Sequence, residues 1–176
     1  MVTALQEIKT ADLFATPPNT WWERWICHVL SKMTGRKVKT IHWGMFVAKD
    51  DRGWIITESI GKGTALTRFA YPKAYVYRIK DIGRVTPRRV IGVHATYGEL
   101  PYDWGTTIFW TGLWWLLKHY LGIVIRVIHD KAMNCQEWVV LIAYELGVKL
   151  IPDDEYPMCA NLENSKYLEY RGEVIM

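Results

Sequence analysis

Ile41-His42-Trp43-Gly44-Met45-Phe46-Val47-Ala48 is a run of aromatic, apolar and β-branched residues of the kind that forms a β-strand. Lys49-Asp50-Asp51-Arg52-Gly53 follows, and its polar residues and terminal glycine predict a turn. Residues 54–59, Trp54-Ile55-Ile56-Thr57-Glu58-Ser59, then read as a second strand that returns beside the first. The stretch as a whole predicts an antiparallel hairpin.

The register of this hairpin decides whether two of its polar side chains can meet. If Ala48 pairs with Trp54 across the five-residue turn, Gly44 lies opposite Glu58. His42 and Glu58 are then diagonal neighbours on one face of the sheet, with Cβ atoms about 7 Å apart or less. A carboxylate at that position can reach an imidazole nitrogen, whereas a shift of one residue would put the two on opposite faces.

The segments outside the hairpin predict a mixture of helices and strands in separate runs. Thr20-Trp21-Trp22-Glu23 is a capping-box pattern that predicts a helix start, and Gly35 predicts its end. Further strands are expected at 65–69, 74–79 and 89–95, and helices over 102–120 and from 134 to 147. This order predicts an α+β fold with an antiparallel sheet of about five strands, rather than a doubly wound fold. The tail after Pro152 has no pattern that assigns it to an element.

Composition supports one globular domain spanning residues 1–176. Half of the residues are hydrophobic and 23% are charged, which excludes a disordered or collagen-like chain. Ten tryptophans in 176 residues are an unusually high number, and most are expected in the core. The net charge of +4 is only mildly basic, with basic clusters at 36–39 and 84–89. We interpret these clusters as solvated loops and expect no nucleic-acid partner, although weak binding to an anionic surface is an alternative.

No cofactor or metal site is expected from the three cysteines, Cys27, Cys135 and Cys159, because their spacing is not that of metal ligands. The apolar run at 105–117 is too short for a transmembrane helix, although peripheral contact with a membrane or lipid remains open. Residues 1–20 lack the apolar stretch of a secretory signal, which favours a cytoplasmic location. The oligomeric state is not indicated.

Three residues form a candidate catalytic set. Cys135 follows Asn134, a favoured cap residue, so the predicted helix would begin at the cysteine. The free amides and positive dipole of a helix start favour a thiolate and can receive an oxyanion. With His42 and Glu58, Cys135 would give a nucleophile, a base and an orienting carboxylate. Taken singly, each is more often structural: a buried cysteine, a core histidine and an exposed glutamate.

Several motifs, in one order along residues 11–155, resemble the permuted papain-like branch of the NlpC-type cysteine peptidase superfamily. This branch includes the YiiX-like proteins and, more distantly, lecithin retinol acyltransferase. The matching segments are Ala11-Asp12-Leu13-Phe14-Ala15-Thr16, residues 41–47, Glu58-Ser59-Ile60-Gly61-Lys62-Gly63, Pro101-Tyr102-Asp103, Asn134-Cys135-Gln136-Glu137-Trp138-Val139 and Pro152-Asp153-Asp154. Two residues depart from the family pattern: Gln136 replaces a common serine, and Trp43 replaces a common β-branched residue.

The resemblance implies a circularly permuted papain-like fold with Cys135 as nucleophile, His42 as general base and Glu58 as the residue that orients the imidazole. It implies a cysteine hydrolase or amidase that cleaves an amide or ester through a thioester acyl-enzyme. The substrate would be a peptide, such as a cell-wall peptide, or a lipid-borne acyl group. The alternative is a catalytically inactive binding module, or a phage or virion-associated one, with the same fold. Cys27 and Cys159 are expected to be bystanders.

Overall fold

A computed structural model describes residues 7–103, 120–121, 132–152 and 155–176 of the chain. Its elements follow in the order β1 (Leu13–Thr16), α1 (Trp21–Thr34), β2 (His42–Asp50), β3 (Gly53–Ile60), β4 (Gly63–Arg68), β5 (Lys73–Ile79), α2 (Pro87–Tyr97), α3 (Cys135–Glu145), α4 (Cys159–Glu163) and β6 (Leu168–Ile175). Within these ranges, no helix is long and apolar enough to cross a membrane.

The strands form one antiparallel sheet in the order β4-β3-β2-β1-β5-β6. The short strand β1 lies in the middle, paired with β2 on one side and β5 on the other, and all four of its residues are buried. The predicted α+β class with an antiparallel sheet is therefore confirmed. The described part of the chain has six strands rather than about five, because β1 and β6 were not anticipated as strands.

The strand predicted at 89–95 is wrong, since these residues belong to helix α2. Val90, Ile91 and Val93 have the β-branched side chains that favour a strand. However, Pro87 occupies the first helical position after Thr86, where its missing N–H costs nothing and its fixed φ favours the helix. Only Val90 is fully buried on this helix.

Other predicted elements have mixed outcomes. Helix α1 has the predicted capping box at Thr20 and Glu23, and Gly35 ends it in the left-handed conformation. The predicted last helix is confirmed as α3. The helix expected over 102–120 lies almost wholly outside the described residues. In the described part of the chain, β1 precedes the first helix and β6 follows the last, so the predicted order of helix, sheet and helices is incomplete at both ends.

The turn of the β2–β3 hairpin is shorter than predicted. Strand β2 continues to Asp50 and β3 begins at Gly53, which leaves a two-residue connection where five residues were expected. Ala48 consequently pairs with Ile55 and not with Trp54. The predicted five-residue turn was wrong because Lys49, Asp50 and Gly53 are paired residues of β2 and β3. They extend the strand pairing beyond the buried part of the hairpin.

A bulge beyond Phe46 then shifts the pairing by one residue. Below the bulge, Gly44 pairs with Glu58, as the sequence predicts. Without the bulge, the observed turn would pair Gly44 with Ser59 and would send Glu58 to the face opposite His42. The bulge thus restores the register that brings the two candidate site residues onto one face.

Buried side chains pack in two clusters. One contains Trp43, Trp138 and much of α3, and the other contains Phe14, Phe46, Trp54 and Phe69. The expectation of mostly buried tryptophans holds for Trp43, Trp54 and Trp138. It fails for the three on α1, Trp21, Trp22 and Trp25, which are 76%, 51% and 50% exposed. Trp104, Trp110, Trp114 and Trp115 lie outside the described residues.

The close approach of Phe14 requires a glycine at position 44. A Cβ atom at Gly44 would lie 2.5 Å from Cε1 of Phe14 and 3.0 Å from the carbonyl oxygen of Thr57. We expect Gly44→Ala to lower the free energy of unfolding by about 1–3 kcal/mol, measured by urea denaturation. Gly92→Ala is the matched control, because it fills open space on α2 and should be neutral or stabilising. Equal stability of Gly44→Ala and the unmodified chain would contradict the packing.

Candidate active site

The carboxylate of Glu58 is the most constrained charge near the hairpin. Glu58 is only 4% exposed, yet three side chains bind its two oxygens. Thr67 donates a hydrogen bond to Oε1 (2.6 Å), Tyr71 donates one to Oε2 (2.5 Å), and Nε2 of His42 lies 2.7 Å from Oε2. Burial opposes ionisation, but these hydrogen bonds and the charge of His42 outweigh it and lower the pKa of Glu58.

His42 is the first residue of β2, and aromatic rings surround its imidazole. The ring centroids of Phe14 and Tyr71 lie 6.1 and 5.6 Å from that of His42. The side chain is 17% exposed, so part of the ring is open to solvent. Since Nε2 faces Glu58, Nδ1 is the nitrogen left for a second partner.

The two residues of β3 on either side of Glu58 form hydrogen bonds with the start of α3. The hydroxyl of Ser59 donates to the carbonyl oxygen of Met133 (2.6 Å). The indole N–H of Trp138 donates to the hydroxyl of Thr57 (2.9 Å). Because successive residues of a strand point to opposite faces, one strand directs its carboxylate to His42 and its two hydroxyls to α3.

Cys135 is the first residue of α3, as the sequence predicts. A capping box fixes this helix start: the Asn134 side chain accepts from the amides of Gln136 and Glu137, and Glu137 accepts from the amide of Asn134. Tyr156 donates to the other oxygen of Glu137 (2.6 Å) and so holds the cap in place. The amide of Cys135 lies at the positive end of the helix. The Asn134 side chain accepts from the two amides that follow it and not from this one.

The side chain of Cys135 is near enough to His42 to influence the pKa of the imidazole. Burial favours neutral His42, but the charge of Cys135, a hydrogen bond with it, and the contact with Glu58 outweigh burial and raise the pKa of His42 from 6.5 to about 10. Cys135 is 2% exposed, so the imidazole is the more accessible member of the pair. The structure therefore brings together all three residues that the sequence singled out, in the order Cys135, His42, Glu58.

Two further residues of this site were not singled out from the sequence. Tyr71 lies between β4 and β5, and Thr67 lies on β4 opposite Ile56. Thr67 is a diagonal neighbour of Glu58 across the β3–β4 pair, so the two side chains lie on the same face of the sheet. A register predicted for β3 and β4 could have identified Thr67. Tyr71 is in a loop, and no periodicity places a loop side chain.

The other cysteines have different surroundings. Cys27 donates a weak hydrogen bond to the carbonyl oxygen of Thr40 (3.6 Å), and burial, together with nearby carboxylates, raises its pKa to about 11. Cys159 accepts a hydrogen bond from the Gln136 amide, and burial raises its pKa. Both are buried thiols that favour the protonated form, unlike a nucleophile.

Among the residues that the structure describes, no group of three or more His, Cys, Asp or Glu side chains could hold a metal ion. Comparison of the chain with models of protein families finds no match, and comparison with curated proteins finds none either. Fold and site together define a class: a mixed α+β protein whose antiparallel sheet and helix start unite a cysteine, a histidine and a glutamate.

Removal of the Tyr71 hydroxyl tests how Glu58 is held. We expect Tyr71→Phe to lower the free energy of unfolding by about 1.5–3 kcal/mol, because a buried carboxylate loses a hydrogen bond. Urea denaturation at neutral pH measures the change. Tyr144→Phe is the matched control, since Tyr144 is 70% exposed and should tolerate the loss of its hydroxyl. An identical effect in both variants would rule out the role of Tyr71.

The raised pKa of His42 predicts a pH dependence with a definite sign. Protonated His42 stabilises the fold fully below the unfolded value of about 6.5, and this contribution is lost as the pH rises towards about 10. In an NMR titration, His42 should stay protonated through neutral pH, and Glu58→Gln should lower its pKa. His94 is the internal control, because burial lowers its pKa and Glu58→Gln should leave it unchanged. A His42 that titrates below 6.5 would contradict this pairing.

Proposed function

We propose that the protein is a cysteine hydrolase or amidase with a permuted papain-like fold, acting through a thioester acyl-enzyme. One observation carries the proposal: Nε2 of His42 lies 2.7 Å from the buried carboxylate of Glu58, and the side chain of Cys135, at the first residue of α3, raises the pKa of the same imidazole. A nucleophile, a base and a group that orients the base form the minimal set for acyl transfer. The order of motifs along the chain, histidine first and cysteine last, supports the permuted form.

In the acylation step, His42 holds the proton that the Cys135 thiol has given up, and the Cys135 sulfur attacks the carbonyl carbon of an amide or ester. A C–S bond forms, and the carbonyl electron pair moves to oxygen. The amide of Cys135, at the positive end of α3, would stabilise this oxyanion, since the Asn134 side chain already takes the amides of Gln136 and Glu137. When the intermediate collapses, the bond to the leaving group breaks and His42 protonates the departing nitrogen or oxygen.

In the deacylation step, a water molecule attacks the thioester while His42 takes one of its protons. The carbonyl carbon gains a hydroxyl, the C–S bond breaks, and the acyl product leaves as a carboxylic acid with the thiol restored. Glu58 keeps the imidazole oriented through both steps and stabilises its charged form. Thr67 and Tyr71 act as positioning residues, because they contact Glu58 and not the reacting atoms.

The proposed substrate is a peptide, such as a cell-wall peptide, or a lipid-borne acyl group. The half-buried ring of Tyr71 beside His42 offers apolar contact to the substrate, whereas Phe14 is fully buried. Among the described residues, Phe14 and Tyr71 are the aromatic rings in contact with the imidazole of His42.

Replacement of the nucleophile is the direct test. We expect Cys135→Ser to abolish hydrolysis of amide and ester substrates and to prevent formation of a thioester adduct. Turnover assays and intact-protein mass spectrometry after brief incubation with an activated acyl ester measure the two effects. Cys27→Ser is the matched control, because Cys27 is equally buried and has no contact with His42.

Turnover or acylation that survives in Cys135→Ser would overturn the assignment. A well-folded native chain that neither acylates nor turns over any amide or ester would instead favour the alternative, an inactive binding or virion-associated module. Glu58→Gln should retain part of the activity, because it disturbs the orientation of His42 without removing a reacting group.

A further inference from the structure

Helix α1 presents an outer face that the candidate active site does not use. Trp21, Trp25, His28 and Lys32 are all exposed and follow one another at intervals of three and four residues. This spacing places them in a single stripe along the helix. The side of α1 that meets the protein is marked by Cys27, its only buried residue, and by Leu30.

The apolar part of this face is unusually large for a protein surface. Trp22 and Trp25 stack with their ring centroids 4.8 Å apart, and Trp21 packs edge-on against Trp22. Ile26, Val29 and Met33 continue the apolar side and are only half-buried. Large exposed apolar patches mark interaction sites, and exposed tryptophans suit an interface that is apolar on one side and wet on the other.

The same region of the chain has a positive net charge. Residues 21–39 contain five Lys or Arg residues and one Glu, a net charge of +4 that equals the formal net charge of the whole chain. An open groove of about 590 Å³ lies between α1 and the segment that follows it, and its lining includes Arg24, His28, Lys32, Arg36 and Lys37.

The neighbouring carboxylates bond to the backbone and not to the cations of this groove. Glu23 accepts hydrogen bonds from the backbone amides of Asn19 and Thr20, and Glu163 accepts them from those of Lys39 and Thr40. Within the described part of the chain, Arg24, Lys32 and Lys37 form no ion pair with a carboxylate.

We propose that α1 docks the protein on an anionic lipid bilayer. Trp21, Trp22 and Trp25 insert at the level of the headgroups, and the basic groove beside them binds the lipid phosphates. A helix with tryptophans on its apolar side and cations on its polar side lies in the plane of such an interface. The combination favours a bilayer over a soluble polyanion, because a polyanion would need the cations but not the three exposed indoles. The inference is independent of the chemistry of Cys135.

Sedimentation with vesicles tests the proposal. The full chain should bind vesicles of equal parts phosphatidylcholine and phosphatidylglycerol, bind vesicles of pure phosphatidylcholine far more weakly, and dissociate as salt is raised. Arg24→Gln with Lys32→Gln should weaken partitioning by about thirtyfold, about fivefold for each charge. Arg84→Gln with Arg88→Gln is the matched control, since it removes two exposed charges elsewhere and should have a much smaller effect.

A second pair of variants tests the tryptophans. Trp21→Ala with Trp25→Ala should reduce binding at least about tenfold, and alanine preserves the helix. Tyr144→Ala, which removes an exposed aromatic ring from α3, should leave binding unchanged. Circular dichroism confirms that each variant is folded.

Three results would overturn the proposal. The first is no binding of the unmodified chain to anionic vesicles. The second is binding to heparin that needs the basic residues of α1 but not its tryptophans, which would assign the groove to a soluble polyanion. The third is a dimer in solution that the tryptophan variant dissociates, which would assign the face to a second copy of the chain.

Discussion

A single buried negative charge, on Glu58, organises this end of the sheet. A carboxylate removed from water is tolerated only when charges or hydrogen bonds compensate it. Its three partners come from β2, β4 and the loop between β4 and β5, so the compensation requires all three segments to converge. The hydrogen bonds that make the charge acceptable are also those that fix the imidazole of His42. Stability and orientation at the site therefore depend on the same contacts.

The alternation of side chains along β3 connects this charge with the helix that carries the thiol. Thr57 and Ser59 hold Trp138 and Met133, which lie on either side of Cys135 in the chain. Strand β3 is therefore the element that positions the proposed nucleophile and the proposed base, and a strand is a more rigid support than a loop. This rigidity is what a catalytic arrangement needs, since small displacements of a reacting group are costly. The capping box adds to it by defining the residue at which α3 begins.

The sequence predicted the site better than it predicted the sheet. A capping pattern is local, so Asn134 and Glu137 placed Cys135 at the helix start, and Thr20 and Glu23 placed the start of α1. The pairing of Gly44 with Glu58 was predicted from a turn that proved too long, and a bulge compensated for the error. That success was therefore partly accidental, because no local signal in the hairpin reveals the bulge.

The remaining misses have identifiable physical causes. Strand β1 has only four residues and derives its stability from two neighbours that are distant in the chain, so its sequence shows no period. Strand β6 has charged residues on its exposed face and a glycine at a bulge, which obscure the alternation. The segment at 89–95 has strand propensity that the proline at the start of α2 overrides. In each case, a signal other than strand propensity decided the outcome: tertiary contacts for β1 and β6, and the helix-starting proline for α2.

The place of α1 in the chain relates its outer face to the candidate site. Thr16, the last residue of β1, pairs with His42, and α1 begins at Trp21, five residues later. Five residues span at most about 18 Å, so the Cα atom of Trp21 lies no farther than that from the Cα atom of Thr16, the residue paired with His42. A bilayer bound at this helix end would bring a lipid-borne acyl group to the end of the sheet at which His42 lies. A soluble peptide substrate would gain nothing from such a surface. The two proposals are independent in their tests, but together they favour a lipid-borne acyl group over a cell-wall peptide as the substrate.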